Sequence, residues 1–231
     1  MLFSSVTFLY YFLPAVLLIY FLVPRCLKNT VLLIFSLAFY GWGEPKLLGL
    51  MIFTILMFYG CGLMIGRCQS QKGKKAWLTV SIVISIGLLG LFKYADFFID
   101  SFNAVTGLSV PLLRLALPVG ISFYTFQSLS YTIDVYRGNV PAQKNPISFG
   151  AYVALFPQLI AGPIVRYVDV ARELNERQHS WDDFCLGLRR FLVGLGKKIL
   201  IADNFALLMK LFRGARARVC CSTGSMPWPS C

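Results

Sequence analysis

The stretch from Leu117 to Arg166 reads LPVGISFYTFQSLSYTIDVYRGNVPAQKNPISFGAYVALFPQLIAGPIVR and decides what kind of fold this chain adopts. Its first part, residues 118–137, predicts a helix on which polar and apolar side chains fall on opposite sides. The polar side comprises Tyr124, Gln127, Ser128, Tyr131 and Asp134, and the apolar side comprises Phe126, Leu129 and Ile133. Because a carboxylate facing lipid at mid-membrane costs about 2.5–3.5 kcal/mol on insertion scales, we expect the polar side to face protein or water.

The second part of the stretch, Phe156 to Arg166, contains Pro157, Gly162 and Pro163 within an apolar run. Proline removes a backbone donor and clashes with the preceding turn, so we predict a broken or re-entrant segment here. Irregular backbone at membrane depth is tolerated only where it is buried in protein or lines a cavity. The two successive segments therefore predict a polar cavity within the membrane.

The composition is that of an integral membrane protein. Of the 231 residues, 57% are hydrophobic and 14% are charged, whereas a soluble domain carries about a quarter charged residues. The net charge of +12 is carried in short loops between apolar runs, which is typical of cytoplasmic loops of membrane proteins. We therefore predict an all-α, polytopic integral membrane protein whose environment is the lipid bilayer, with no nucleic-acid partner. The seven cysteines show no metal-type spacing, so no metal site is predicted.

Apolar runs predict where the chain crosses the membrane. The predicted segments are residues 1–23, kinked at Pro14, a short run at 30–42, and residues 47–66, 76–92 and 115–135. In the third run, Gly60, Gly62 and Gly66 permit close approach of a neighbouring helix. Residues 149–165 are predicted to be re-entrant.

The charges of the loops predict the orientation. Residues 67–75 contain four basic side chains and no acidic one, whereas the loop with Lys93, Asp96 and Asp100 has a net charge of −1. The positive-inside rule places the first loop in the cytoplasm and the N-terminus outside.

Farther along the chain, a helix is predicted at the membrane surface. Ser180 is predicted to cap this basic, partly apolar helix at 184–198. Residues 199–211 are predicted to begin another membrane segment.

Three blocks of the sequence carry a resemblance to a known family. They are PVGISFYTFQ at 118–127, YTIDVYRG at 131–138 and FPQLIAGPI at 156–164. They resemble the bacterial membrane-bound O-acyltransferase (MBOAT) family, and most closely its alginate O-acetylation branch. Residues 1–212 are similar to the N-terminal half of that family, so the expected fold is part of an MBOAT-type helix bundle. The unpatterned tail at 213–231 is expected not to belong to this fold, as after a frameshift or truncation; a short basic tail is the alternative.

The resemblance implies a multi-pass acyltransferase of the bacterial inner membrane that takes part in O-acetylation of an exopolysaccharide such as alginate. No bound cofactor is expected, but an acyl donor such as acetyl-CoA would approach from the cytoplasmic side. The implied partners are exported polysaccharide-acetylation proteins and, indirectly, the polysaccharide acceptor. A transporter or channel subunit is the alternative, because a polar helix face and a broken helix are equally typical of that class.

Six residues are candidates to line a substrate tunnel: Tyr124, Gln127, Tyr131, Asp134, Gln158 and Arg166. Each also has a structural interpretation, since Asp134 and Arg137 are spaced as an ordinary helix-end ion pair and an interfacial arginine can extend to headgroups. His179 is the only histidine and lies in a charged loop, which favours a solvated side chain over a catalytic one. The resemblance places the family's essential histidine farther along, where no residue of this chain matches it. No catalytic residue is therefore identified, and the chain is expected to be inactive alone.

Overall fold

The computed structural model describes residues 5–107, 111–113, 118, 120–159, 165–175, 177, 180–210 and 212. Within these residues the secondary structure is helical and contains no strand, so the predicted all-α class is confirmed. The chain forms two compact units. The first comprises the described residues from Val6 to Arg177, and the second comprises Ser5 and the described residues from Ser180 to Phe212. The tail at 213–231 lies outside the described residues.

The helices of the first unit follow one another through short connections. They are α1 (Leu13–Leu22), α2 (Lys28–Gly43), α3 (Leu48–Arg67), α4 (Gln71–Leu89), α5 (Ala95–Thr106), α6 (Ile121–Arg137), α7 (Pro146–Ala154), α8 (Phe156–Leu159) and α9 (Tyr167–Asn175). π-helical turns at Phe8–Phe12 and Gly90–Tyr94 precede α1 and join α4 to α5. In the second unit, α10 (Trp181–Lys197) continues through a π-helical segment at Lys198–Asp203. The predicted cap is confirmed, because the Ser180 hydroxyl accepts a hydrogen bond from the Asp182 backbone N–H at 3.2 Å.

Three helices in the described part of the chain are long and apolar enough to cross a membrane: Arg25–Gly43, Pro45–Arg67 and Gln71–Thr106. The first two match the predicted segments at 30–42 and 47–66. The chain is therefore an all-α polytopic membrane protein. The segment predicted at 1–23 contains the shorter apolar helix Phe8–Leu22, and the predicted kink at Pro14 coincides with the change from π-helix to α-helix.

The predicted loop containing Lys93, Asp96 and Asp100 is wrong, because these residues are helical. The helix that begins at Gln71 continues to Thr106 and contains no proline that would break it. It ends at Gly107, whose φ of +72° is the left-handed conformation that glycine readily adopts after a helix. Charged residues near the end of an apolar run do not by themselves terminate a helix. The orientation across the membrane stays a prediction.

The chain breaks one residue before the segment predicted to be broken, 156–166. It leaves the helical conformation at Leu155, with ψ of 113°, between α7 and α8. In a continuous helix, the ring of Pro157 would clash with the carbonyl of Val153, which explains why the break lies there. Every residue of α7 from Ser148 to Ala154 is buried, whereas Leu155 is half-buried and Pro157 is exposed. That 149–165 is re-entrant stays a prediction, and Gly162 and Pro163 lie outside the described residues.

Helix α3 packs closely against α6 and the connection that follows it, because two of its glycines have no side chain. A Cβ atom at Gly62 would lie 2.5 Å from Cε1 of Tyr131, and a Cβ atom at Gly66 would lie 2.5 Å from Cβ of Ala142. Both distances are shorter than carbon atoms can approach. A Cβ at Gly60 would meet nothing within 4 Å. The predicted close approach is therefore confirmed at Gly62 and Gly66 and wrong at Gly60.

We expect Gly62→Ala to destabilise the protein and Gly60→Ala to leave it unchanged or slightly more stable. At Gly62 the new methyl group overlaps a tyrosine ring, and overpacking of this kind costs about 1–3 kcal/mol. At Gly60 the substitution only raises helix propensity, by up to about 1 kcal/mol. Thermal unfolding of the two variants in lipid nanodiscs measures the difference, and equal midpoints would show that α3 and α6 do not pack as described.

Candidate functional site

The polar face of α6 is buried, as the sequence predicts. Tyr124, Thr125, Ser128, Tyr131 and Thr132 are 0% exposed, and the side chains of Gln127 and Asp134 are also buried. On the opposite face, Phe123 is 40% and Phe126 is 47% exposed. The helix therefore directs its hydroxyl, amide and carboxylate groups toward protein and its phenyl rings outward.

Asp134 is held by two donors at the end of α6. Nη2 of Arg166 donates a hydrogen bond to Oδ1 of Asp134, and Nδ2 of Asn139 donates to the same oxygen at 3.0 Å. The Asp134 side chain is 2% exposed, whereas that of Arg166 is 53% exposed. This hydrogen bond raises the pKa of the Arg166 guanidinium above its ordinary value. The ion pair ties α6 to the segment that precedes α9.

The alternative pairing of Asp134 with Arg137 is wrong. Arg137 is the last residue of α6 and is exposed, while the salt bridge of Asp134 is made to Arg166. Residues three apart on a helix can reach each other, but here the carboxylate points into the protein and the guanidinium of Arg137 does not. Two of the six tunnel candidates, Asp134 and Arg166, are thus brought together.

Gln127 and Gln158 form a second pair. Nε2 of Gln127 donates to the backbone carbonyl of Tyr152 at 3.1 Å and lies 3.5 Å from Oε1 of Gln158. Tyr152 in turn donates its hydroxyl to the carbonyl of Val165 at 2.8 Å. These bonds join α6, α7, α8 and the segment before α9. Gln158 is only half-buried, so part of its side chain remains accessible.

Tyr131 has a structural environment. Its hydroxyl accepts a hydrogen bond from the Gln143 backbone N–H at 2.9 Å. Its ring centroid lies 4.7 Å from that of Phe149 and 4.9 Å from that of Tyr167, separations typical of favourable aromatic pairs. Because the ring is also packed against Gly62, Tyr131 is fixed on every side that the structure describes.

Four buried hydroxyls lack a hydrogen-bond partner in the described part of the chain. They belong to Tyr40 at the end of α2 and to Tyr124, Thr125 and Ser128 in the first half of α6. Tyr124 lies close enough to Tyr40 to interact with it electrostatically. A buried polar group without a partner costs about 1–3 kcal/mol, so this cluster, which we call the hydroxyl cluster, needs an explanation beyond packing. Helical periodicity predicts the burial of Tyr124 but not that of Tyr40, because nothing in the apolar run of α2 distinguishes a tyrosine that faces another helix.

A pocket of about 730 Å³ lies at the other end of α6. Its basic lining residues, Arg67, Lys74 and Lys144, entered the sequence analysis only as indicators of orientation. Because Lys144 is far from Arg67 and Lys74 along the chain, the sequence does not show that the three residues line one pocket. We call this space the basic pocket.

Two further predictions concern catalytic and metal-binding residues. His179 lies outside the described residues, so its solvated environment stays a prediction. Within the described residues, no group of three or more His, Cys, Asp or Glu side chains is arranged to hold a metal ion.

The chain is similar in sequence to curated alginate O-acetylases. It is 44% identical over 212 residues to the probable alginate O-acetylase AlgI of Azotobacter vinelandii. The alignment covers 89% of this chain and 42% of that protein. It is also 44% identical over 213 residues to the probable alginate O-acetylase AlgI of Pseudomonas aeruginosa. That alignment covers 90% of this chain and 41% of that protein. The chain is a homologue of these AlgI proteins over about nine tenths of its own length.

A more distant relative is named for a different polymer. The peptidoglycan O-acetyltransferase of Helicobacter pylori is 33% identical over 238 residues, covering 89% of this chain and 45% of that protein. The chain thus spans about two fifths of the length of these curated relatives. No family model and no solved structure matches the chain. The resemblance predicted from residues 118–164 is confirmed, and the transporter alternative is not supported.

We expect Arg166→Gln to lower the unfolding temperature of this AlgI homologue and Arg137→Gln to leave it nearly unchanged. The loss of Arg166 leaves the buried Asp134 carboxylate without a cation, and an unpaired buried charge is strongly unfavourable. Because Arg166 itself is half exposed, solvent screens its attraction to Asp134. Most of the lost stability therefore comes from leaving the buried Asp134 carboxylate without a cation. Thermal unfolding in nanodiscs measures both variants.

A second substitution checks that explanation. Asp134→Asn removes the buried charge, so adding it to Arg166→Gln should recover part of the lost stability. If Arg137→Gln proves as destabilising as Arg166→Gln, the pairing described for Asp134 is incorrect.

Proposed function

We propose that this chain forms part of a membrane-bound O-acyltransferase that acetylates an exported polysaccharide such as alginate, at the bacterial inner membrane. The names of the relatives support acetyl transfer to a polysaccharide. The observation that carries the proposal is the hydroxyl cluster, because two of its members, Tyr124 and Thr125, lie on α6 within the block at 118–127 that resembles the acyltransferases. The proposed partners are exported polysaccharide-acetylation proteins, with the polymer as the indirect acceptor.

The proposed chemistry needs polar groups at membrane depth. With a thioester donor such as acetyl-CoA, the acceptor hydroxyl oxygen bonds to the acetyl carbon and the carbon–sulfur bond breaks. The proton of the acceptor hydroxyl is transferred to the leaving sulfur, which gives a free thiol. A carbonyl oxygen crossing an apolar membrane gains from hydroxyl donors along its path, since unpaired polar groups are costly there. Tyr124, Thr125 and Ser128 can supply such donors.

We assign different roles to the six tunnel candidates. Gln127, Tyr131 and Asp134 are bound to protein groups and position the helices around the path. Gln158 and Arg166, which are partly exposed, can contact a substrate. Tyr124 supplies a hydroxyl with no protein partner in the described residues. Proton removal requires a base, and because the described residues contain no histidine, we assign to them binding and orientation only.

A chimeric protein tests the proposal. Residues 1–212 of this chain replace the homologous segment of the P. aeruginosa AlgI, in a strain that lacks that protein, and the O-acetyl content of the secreted alginate is measured. We expect the chimera to restore acetylation and Tyr124→Phe within it to reduce acetylation by up to about tenfold, which corresponds to the loss of one hydrogen bond to the substrate.

The variant Tyr124→Phe separates function from folding. Removing an unpaired buried hydroxyl should leave stability unchanged or raise it, so a loss of acetylation at an unchanged membrane level would report on the path. Phe126→Leu on the exposed face is the matched control and should be silent. A chimera that reaches the membrane at the level of the parent protein but leaves alginate unacetylated would contradict the proposal.

A further inference from the structure

The basic pocket lies where the ends of three helices meet. Its walls are formed by the C-terminal end of α3, the first turn of α4, the end of α6 and the connection at 138–144. Arg67, Lys74 and Lys144 contribute positive charge, Leu63 and Val135 contribute apolar surface, and none of the lining residues is acidic. The pocket therefore combines a cationic part with an apolar part.

The three cations have no acidic partner within 4 Å in the described part of the chain. Like charges that surround one space repel each other, and the repulsion is relieved when an anion enters. None of the assigned roles of α6 uses these residues. The electrostatics of the basic pocket thus favour a ligand that carries negative charge.

The shape of the basic pocket is fixed by contacts that do not involve the cations. The Tyr59 hydroxyl donates to the Lys144 carbonyl at 2.6 Å, and the Gln143 N–H donates to Tyr131 at 2.9 Å. Ala142 rests directly against Gly66. The connection at 142–144 is therefore held against α3 and α6, and the pocket exists before a ligand binds.

The depth of the basic pocket selects among anions. Arg67 ends one apolar helix and Lys74 lies in the first turn of the next, and both helices are long enough to span a membrane. The cations therefore lie at the level of lipid headgroups, with Leu63 one turn deeper along α3. Basic pockets between membrane helices on the cytoplasmic side bind anionic lipid headgroups, and the excess of positive charge in this loop indicates that side.

We propose that the basic pocket binds an anionic phospholipid of the cytoplasmic leaflet, with the phosphate near Arg67, Lys74 and Lys144 and acyl-chain carbons against Leu63 and Val135. A soluble phosphate ester would use the cations and leave the apolar wall uncovered. The phosphodiester of a lipid uses both. This site is independent of the acyltransferase path assigned to the first half of α6.

The experiment compares lipid retention in two triple variants of the 231-residue chain, reconstituted in nanodiscs that contain phosphatidylglycerol and phosphatidylcholine. The pocket variant is R67Q/K74Q/K144Q. The matched control is K72Q/K75Q/R137Q, which removes the same charge from the ends of α4 and α6 without touching the pocket lining. Native mass spectrometry counts the phosphatidylglycerol that stays bound after release from the nanodisc.

We expect the pocket variant to retain phosphatidylglycerol at least about tenfold less than the parent chain, since it lacks all three cations that attract the lipid phosphate. The control should retain nearly as much as the parent. Equal losses in both variants would overturn the proposal, because they indicate diffuse surface attraction. Displacement of the lipid by soluble glycerol phosphate at concentrations that leave the control unaffected would overturn the lipid assignment. If the triple pocket variant does not reconstitute, K144Q alone, which alters a connection rather than a helix, must show the same loss in smaller measure.

Discussion

A membrane helix that carries a carboxylate, an amide and several hydroxyls on one face is stable only where protein covers that face. In this chain the cover of α6 depends on the absence of a side chain at Gly62, which lets the ring of Tyr131 lie directly against α3. The same ring packs on Phe149 of α7 and Tyr167 of α9. One glycine therefore allows a single tyrosine of α6 to pack against α3, α7 and α9. This packing brings those helices close enough to bury the polar face of α6.

The polar groups of α6 divide into two sets. Gln127, Tyr131 and Asp134 are bonded to neighbouring segments and hold them in place. The hydroxyls of Tyr124, Thr125 and Ser128 have no hydrogen-bond partner among the described residues, and Oδ2 of Asp134 also lacks one. An unpaired buried group needs an explanation, and the proposed acyl path supplies one for the three hydroxyls.

The periodicity of residues 118–137 is sufficient to predict a buried polar face, and the prolines of 156–166 are sufficient to predict a break near α8, although it lies one residue earlier, at Leu155. Both predictions rest on local geometry that a sequence displays directly. The partner of Asp134 could not be predicted in this way, because Arg166 is brought to it by the path of the chain rather than by helical spacing. The same holds for the electrostatic interaction of Tyr40 with Tyr124 and for the presence of Lys144 and Arg67 in one pocket. The helical continuation through Lys93 and Asp96 was missed because charged residues were interpreted as a loop when only Gly107 provides a termination signal.

The central claim, that α6 turns its polar face into the protein, is tested most directly by a spin-label scan of residues 121–137 in a chain without native cysteines, reconstituted in a bilayer. Collision with molecular oxygen, which concentrates in the lipid, reports the exposure of each label. The structure predicts high oxygen accessibility at Phe123 and Phe126 and low accessibility at Thr125, Ser128 and Thr132, with a period of about 3.6 residues. High accessibility at Thr125, Ser128 and Thr132, with labels at Phe123 and Phe126 shielded, would contradict the account.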